Sequence, residues 1–188
     1  IAPQFSAHAE SYGAFYVEAN LPENQYDPNV GYFDLMMEPN MKQTISFDVI
    51  NQGDQPMRAS INFQNGTTTL NAEKSYIHEE TPDVSMKHPM TTMAVLRTQE
   101  VIIPANQRST IAIDVTAPSV AFDGVSVGGF SVTADTIEIQ ADTSKKAKGE
   151  IQIESRTTYL IALQIRMNET KVEKTLTILK VVQKLWIS

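Results

Sequence analysis

Apolar and polar positions alternate along most of the chain. Between Gln43 and Asn51, Ile45, Phe47 and Val49 fall on one side and Ser46 and Asp48 on the other, the period of a half-buried strand. A turn at Asn51-Gln52-Gly53-Asp54 follows, and then Ala59, Ile61 and Phe63 alternate against Ser60 and Asn62. The two segments read as a hairpin. Val101-Ile102-Ile103 stops at Pro104, Asn106-Gln107 turns the chain, and Ile111, Ile113 and Val115 alternate as far as Pro118. Ile137 with Ile139, and Ile151 with Ile153, repeat the pattern.

Three segments depart from it. Tyr159–Ile165 is nearly continuously apolar, which predicts a central strand buried on both faces. Val125 and Val127 hold odd positions while Phe130 and Val132 hold even ones, and the switch falls at Gly128-Gly129. A β-bulge there would bring both sets to one face; two separate short strands are the alternative. Residues 171–186 place Val172, Leu176, Leu179, Val182 and Trp186 at helical spacing, but Thr175, Thr177, Ile178, Val181 and Val182 are β-branched and favour a strand. Residues 72–94 are irregular, with room for one short helical turn.

About eight short strands with Pro, Asn and Gly at the turns predict an all-β fold, an Ig-like antiparallel β-sandwich. We place the sandwich at residues 1–170 and take 171–188 as a terminal strand or a junction towards a second domain. Ile45, Phe47, Val49, Ile61, Phe63, Ile111, Ile113 and Val115 should lie between the sheets. Glu38–Val49 and Pro104–Val115 share one local grammar: turn, polar residue, alternating strand.

At 188 residues and 41% apolar composition, the chain can bury a core without staples and is not disordered in character. Cysteine is absent, which rules out disulfides and thiolate metal sites. Residues 1–140 carry 6 basic and 17 acidic side chains, a balance of −11, while 141–188 carry 9 and 5, a balance of +4. An acidic body argues against nucleic acid, whose phosphates need a basic footprint. No apolar run of the roughly 18 residues needed to span a bilayer occurs.

Chemistry-bearing patterns are sparse. His8, His78 and His88 lie near Glu79, Glu80 and Asp83 in part, but not at a spacing that rigid metal ligation needs. There is no G-x-S-x-G elbow and no Cys nucleophile. Asp123-Gly124 followed by Gly128-Gly129 reads as a turn and a bulge, since a phosphate-cradling loop would lead into a helix. Met36, Met37, Met41, Met57, Met86, Met90 and Met93 suit irregular gaps in a core better than an exposed contact surface. We therefore expect no enzyme activity, no cofactor and no metal.

Several stretches resemble one known family when taken together. They are Leu-Pro-Glu-Asn-Gln-Tyr-Asp at 21–27, Gly-Tyr-Phe-Asp-Leu at 31–35 and Pro-Asn-Met-Lys-Gln-Thr at 39–44. Further on are Asp-Val-Ser-Met-Lys-His-Pro at 83–89, Ile-Pro-Ala-Asn-Gln at 103–107 and Phe-Asp-Gly-Val-Ser-Val-Gly-Gly-Phe at 122–130. Their order and spacing, over roughly residues 14–182, resemble the N-terminal domain of WxL-interacting proteins. The resemblance implies a secreted Gram-positive surface protein with two Ig-like domains and a membrane anchor. Its first domain is described as peptidoglycan-binding and its second as host-binding, and it is made alongside WxL proteins. This chain would then be a first domain with part of the junction, located at the cell wall or surface.

The leading expectation is a non-enzymatic module whose partner is peptidoglycan. The alternatives are a scaffold domain for WxL-domain proteins and a wall hydrolase. Glycan recognition needs planar hydrogen-bonding groups and aromatic faces. Asn24, Tyr26 and Asp27 offer that mixture in one Pro-flanked loop, and Lys87 and His88 offer donors in another. Both are also readable as ordinary structural loops.

Overall fold

The alternating segments become strands because one face of each can be buried. The computed structural model describes residues 15–68, 74–75, 86–136 and 157–169. In chain order the strands are β1 (Phe15–Asn20), β2 (Phe33–Met36), β3 (Lys42–Asn51), β4 (Met57–Asn65), β5 (Thr67–Thr68) and β6 (Lys74–Ser75). After one turn of 3-10 helix at Met90–Thr92 come β7 (Ala94–Leu96), β8 (Glu100–Ile103), β9 (Arg108–Thr116), β10 (Ser126–Thr136) and β11 (Thr158–Arg166). One sheet has the order β1-β3-β9-β7 and the other β2-β11-β10-β4-β8, while β5 and β6 pair with each other. The two larger sheets form the Ig-like sandwich expected from the alternation. Among the described residues all pairings are antiparallel except β2 with β11. The segments Ile137–Ile139, Ile151–Ile153 and 171–188 lie outside the described residues.

Seven of the eight predicted core residues are buried, Ile45 and Ile111 at 2–3% exposure and the rest lower. Phe63 faces inward but is only partly buried; its ring stacks on Phe130 at 4.5 Å, and Phe130 in turn meets Phe47 from the other sheet at 5.6 Å. Met37, Met57, Met90 and Met93 are buried, as gap-filling methionines should be.

The expected hairpin between β3 and β4 does not form. The two strands belong to different sheets, so the turn at 51–54 is a corner that carries the chain across the sandwich. Asn51 holds it. Its side chain is 2% exposed, and its Nδ2 donates to the carbonyls of Gln55, Ile103 and Pro104 at 2.8, 3.1 and 3.1 Å. Its Oδ1 accepts from the Gly53 N–H at 2.9 Å. The second crossing, from β8 to β9, thus shares the same amide. The two look-alike segments start their strands with the same device. Pro39-Asn40 and Ala105-Asn106 close turns in which Asn40 (φ 61°) and Asn106 (φ 57°) take the left-handed conformation that a type II turn requires at its third residue. The strands they launch, β3 and β9, are hydrogen-bonded neighbours.

The bulge at Gly128-Gly129 is also overturned. β10 pairs residue for residue with β11 from Ser126 to Thr133 and with β4 from Gly128 to Thr136. Its parity never switches. The inward positions are even, through Gly128, Phe130 and Val132, and Val127 lies on the outer face. Gly128 leaves a gap on the inner face that Met90 fills: a Cβ there would sit 2.6 Å from Met90 Cγ and 2.9 Å from the Gln64 carbonyl. β11 is central, as expected, but buries one face; Leu160 on the other is 47% exposed.

On the outer face of the first sheet, Asp48 accepts from Thr110 at 2.7 Å, Arg108 at 3.2 Å and Asn20 at 3.4 Å. Burial alone pushes its carboxyl up, but these hydrogen bonds and the Arg108 charge outweigh it and hold the group below its ordinary value of 3.8.

Two outcomes follow from this packing. Gly128→Ala should destabilise by roughly 1–3 kcal/mol through overpacking, whereas Gly31→Ala, with no atom within 4 Å of the added carbon, should stay within about 0.5 kcal/mol of wild type; urea unfolding distinguishes them. Asp48 stabilises the fold above the unfolded-state value of 3.8, and the contribution is lost as pH falls from there through the lower folded value. Asp48→Asn should cost roughly 1–3 kcal/mol at pH 7 and should then lose less than wild type on acidification to pH 3, as followed by thermal melts.

Candidate functional site

The two predicted loop clusters have different fates. Residues 24–26 run along the free edge of β2, the edge strand of its sheet. The Tyr26 N–H donates to the Asp34 carbonyl at 2.6 Å, and the Met36 N–H donates to the Asn24 carbonyl at 3.0 Å. Asn24 Nδ2 donates to the Met36 carbonyl at 2.9 Å. Gln25 works on both sides: Nε2 donates to the carbonyls of Asp27 and Tyr32, and Oε1 accepts from the Asp34 N–H. Asp27 accepts from the backbone and side-chain amides of Asn29. These groups cover an edge that would otherwise expose unpaired backbone.

Tyr26 is 44% exposed, but the Arg166 guanidinium lies 4.2 Å from its ring centroid. Arg166 also forms a fork on Asp34, with Nε at 3.0 Å and Nη2 at 2.8 Å from Oδ1 and Nη2 at 3.0 Å from Oδ2. Asp34 is 3% exposed. The loop, β2 and β11 are thus clamped by one ion pair capped by an aromatic ring.

The second cluster lines a groove. His88 stacks on Phe122 with centroids 4.6 Å apart and planes 19° from parallel. The two rings, with Gly66, Met86, Asp123, Val125, Ser126 and Val127, enclose an open groove of about 290 Å³. Ser126 Oγ donates to the His88 carbonyl at 2.7 Å. Asn168, just beyond β11, donates to the Phe122 carbonyl at 3.2 Å and to Asp123 Oδ1 at 2.7 Å. Gly124, directly after Asp123, takes φ 90°, so the turn read at Asp123-Gly124 is present and needs glycine. Lys87 is exposed beside the groove and is not part of its lining.

His8, His78, Glu79, Glu80 and Asp83 lie outside the described residues. Phe122, Asp123, Val125, Val127 and Asn168 were not singled out as ligand contacts from sequence. The available signal is Val125 and Val127 directly after the Asp123-Gly124 turn and close to Phe122, an alternation that by itself reads as strand parity.

The family model described as "WxL Interacting Protein, peptidoglycan binding domain" matches residues 15–134, well over half of the chain. The chain belongs to this family. The match runs from β1 almost to the end of β10 and includes both loop clusters of this WxL-interacting-protein domain. No curated protein matches the sequence.

Among solved structures, the domain is similar to the ASH/PapD-like domain 7 of human CEP192, at 7% identity and a TM-score of 0.47, covering 91% of this chain and 97% of that one. It is similar to the E. coli chaperone DraB at 14% identity and a TM-score of 0.47, covering 85% and 58%. A family 123 glycoside hydrolase from Clostridium perfringens matches at 11% identity and a TM-score of 0.47, covering 82% of this chain and 27% of that one. The chain thus spans little more than half of the chaperone and about a quarter of the hydrolase. At such identities nothing about ligand or activity transfers.

The clamp generates its own test. Asp34→Ala should destabilise by about 3 kcal/mol, the lower part of the range for breaking a buried pair, because the Arg166 side chain keeps 20% of its surface in water. Asp34→Leu combined with Arg166→Met should recover much of that loss in urea unfolding, since two apolar groups leave no uncompensated charge.

Proposed function

We propose that this domain attaches its parent protein to peptidoglycan at the bacterial surface, as a binding module that performs no chemistry and needs no cofactor. The observation that carries the reading is the family match over residues 15–134, whose description names peptidoglycan binding. The physical support is an open groove with a rigid pair of rings and a carboxylate, a mixture suited to neutral, hydroxyl-rich ligands. Of the residues expected to contact ligand, His88 lines this groove and Lys87 flanks it. Asn24 and Asp27 spend their hydrogen bonds inside their own loop, and Tyr26 offers a ring already paired with Arg166.

The same family description names interaction with WxL proteins, so a scaffold role is the second reading. Both readings place the domain outside the cell.

Charge separates recognition from simple adhesion. The body carries −11, which opposes attraction to anionic wall polymers. The exception is the basic stretch with Lys145, Lys146 and Lys148. The 188-residue chain should co-sediment with purified Gram-positive peptidoglycan, and the bound fraction should change little between low salt and 0.1 M, where the Debye length has fallen to about 10 Å. Replacing the three lysines with Ala should leave it unchanged. Steeply salt-sensitive binding that disappears with the lysines would replace glycan recognition by electrostatic adhesion. No sedimentation, with capture of a WxL-domain protein in a parallel pull-down, would favour the scaffold.

A further inference from the structure

We infer that the His88–Phe122 groove is a subsite for one N-acetylated amino-sugar ring of the glycan strand, and that the domain reads the sugar backbone of peptidoglycan rather than its stem peptides. This rests on the peptidoglycan reading and specifies its contact.

Size is the first observation. At about 290 Å³ the groove lies at the small end of ligand sites, which run from roughly 300 to 1,000 Å³, so it suits one ring and its substituent rather than a branched peptide. Charge is the second. Among the described residues the lining contains one carboxylate, Asp123, and no lysine or arginine, with Lys87 exposed beside it. That disfavours the carboxylates of a stem peptide and the phosphates of wall polymers, and leaves neutral hydroxyl donors as the natural partners of Asp123. One oxygen of that carboxylate already accepts from Asn168. A carboxylate has about four lone-pair sites, so this bond orients the group without exhausting it.

The apolar lining gives the substituent. Val125 is 42% exposed and stands with Val127 and Met86 beside the two stacked rings. A pyranose carries an apolar C–H face that packs on a flat ring, and an acetamido methyl fills a notch between valines, whereas an unsubstituted sugar hydroxyl there would be dehydrated without a partner.

The groove is also pre-set. Asn168 from the end of β11 holds the Phe122 backbone and Asp123 together, and Ser126 at the start of β10 holds the His88 backbone. Groups fixed before binding lose less freedom on contact. The loop residues of the site are thus tied to the ends of two strands of one sheet.

The test titrates the 188-residue chain with N-acetylglucosamine tetramer, with cellotetraose (the same backbone without acetamido groups) and with free stem peptide. Calorimetry reads the affinity. The N-acetylated tetramer should bind, and cellotetraose should bind at least about tenfold more weakly, the equivalent of one well-placed contact. Asp123→Asn and Val125→Ser, both exposed enough to spare the fold, should each weaken the tetramer by about tenfold. Asn62→Ala, on the outer face of β4, should not. Thermal melts confirm that the variants are folded. Equal binding of both tetramers, preference for the stem peptide, or wild-type affinity in both groove variants overturns the inference while co-sedimentation with whole peptidoglycan preserves the broader reading. Absence of both sedimentation and tetramer binding removes the two together.

Discussion

The sandwich depends on a buried amide at the point where the chain changes sheets. Two sheets can share a core only if the chain crosses between them, and each crossing takes backbone carbonyls into a region that water does not reach. Asn51 meets that demand for two crossings at once. Its amide bonds the corner that leaves β3 and the corner that leaves β8, and its own N–H donates to the Gln107 carbonyl at 2.8 Å. An aspartate there would lose the donor, and an apolar residue would strand three carbonyls. With these corners fixed, β3 and β9 lie side by side, and Phe47 of β3 meets Phe130 from the other sheet.

The edges obey a related constraint. β2 is short, parallel to its neighbour and exposed on one side, a weak arrangement by itself. The 24–26 segment covers it, and the Asp34–Arg166 fork under Tyr26 joins loop, edge and central strand. Polar side chains that looked available for recognition are therefore engaged in closing the sheet. The outer face of the first sheet is similarly occupied by Asp48, Asp114 and their arginines, with Asp114 held below its ordinary value by hydrogen bonds from Arg97 and Thr44. The groove at the end of the second sheet is open, and its rings and carboxylate are held from behind.

Gly128 shows how one contact can mislead a sequence pattern. A missing side chain on the inner face looked like a change of register because the flanking valines kept the apolar count up. The vacant position is taken by Met90, which is 38 positions distant by number and arrives on a separate 3-10 turn. The ladder stays regular because the gap is filled from outside the strand, not by an extra residue within it.

The sequence by itself determined the class of fold, most of the core and the turn positions. Period-two burial of Ile45, Phe47, Val49, Ile111, Ile113 and Val115 is local physics, since one face of each strand must leave water. The left-handed asparagines at 40 and 106 are likewise local, and the motifs at 21–44 and 83–130 sufficed for the family. Tertiary structure alone decided which strands share a sheet, because a polar turn serves a hairpin and a corner equally until a buried partner selects one. It also decided which polar loop residues are spent. Asn24 and His88 are equally plausible in a string of letters, but the Met36 carbonyl takes the first amide, while Phe122 and Ser126 set the second in the wall of a groove. Those partners lie 12, 34 and 38 residues distant by number, beyond the reach of any local pattern.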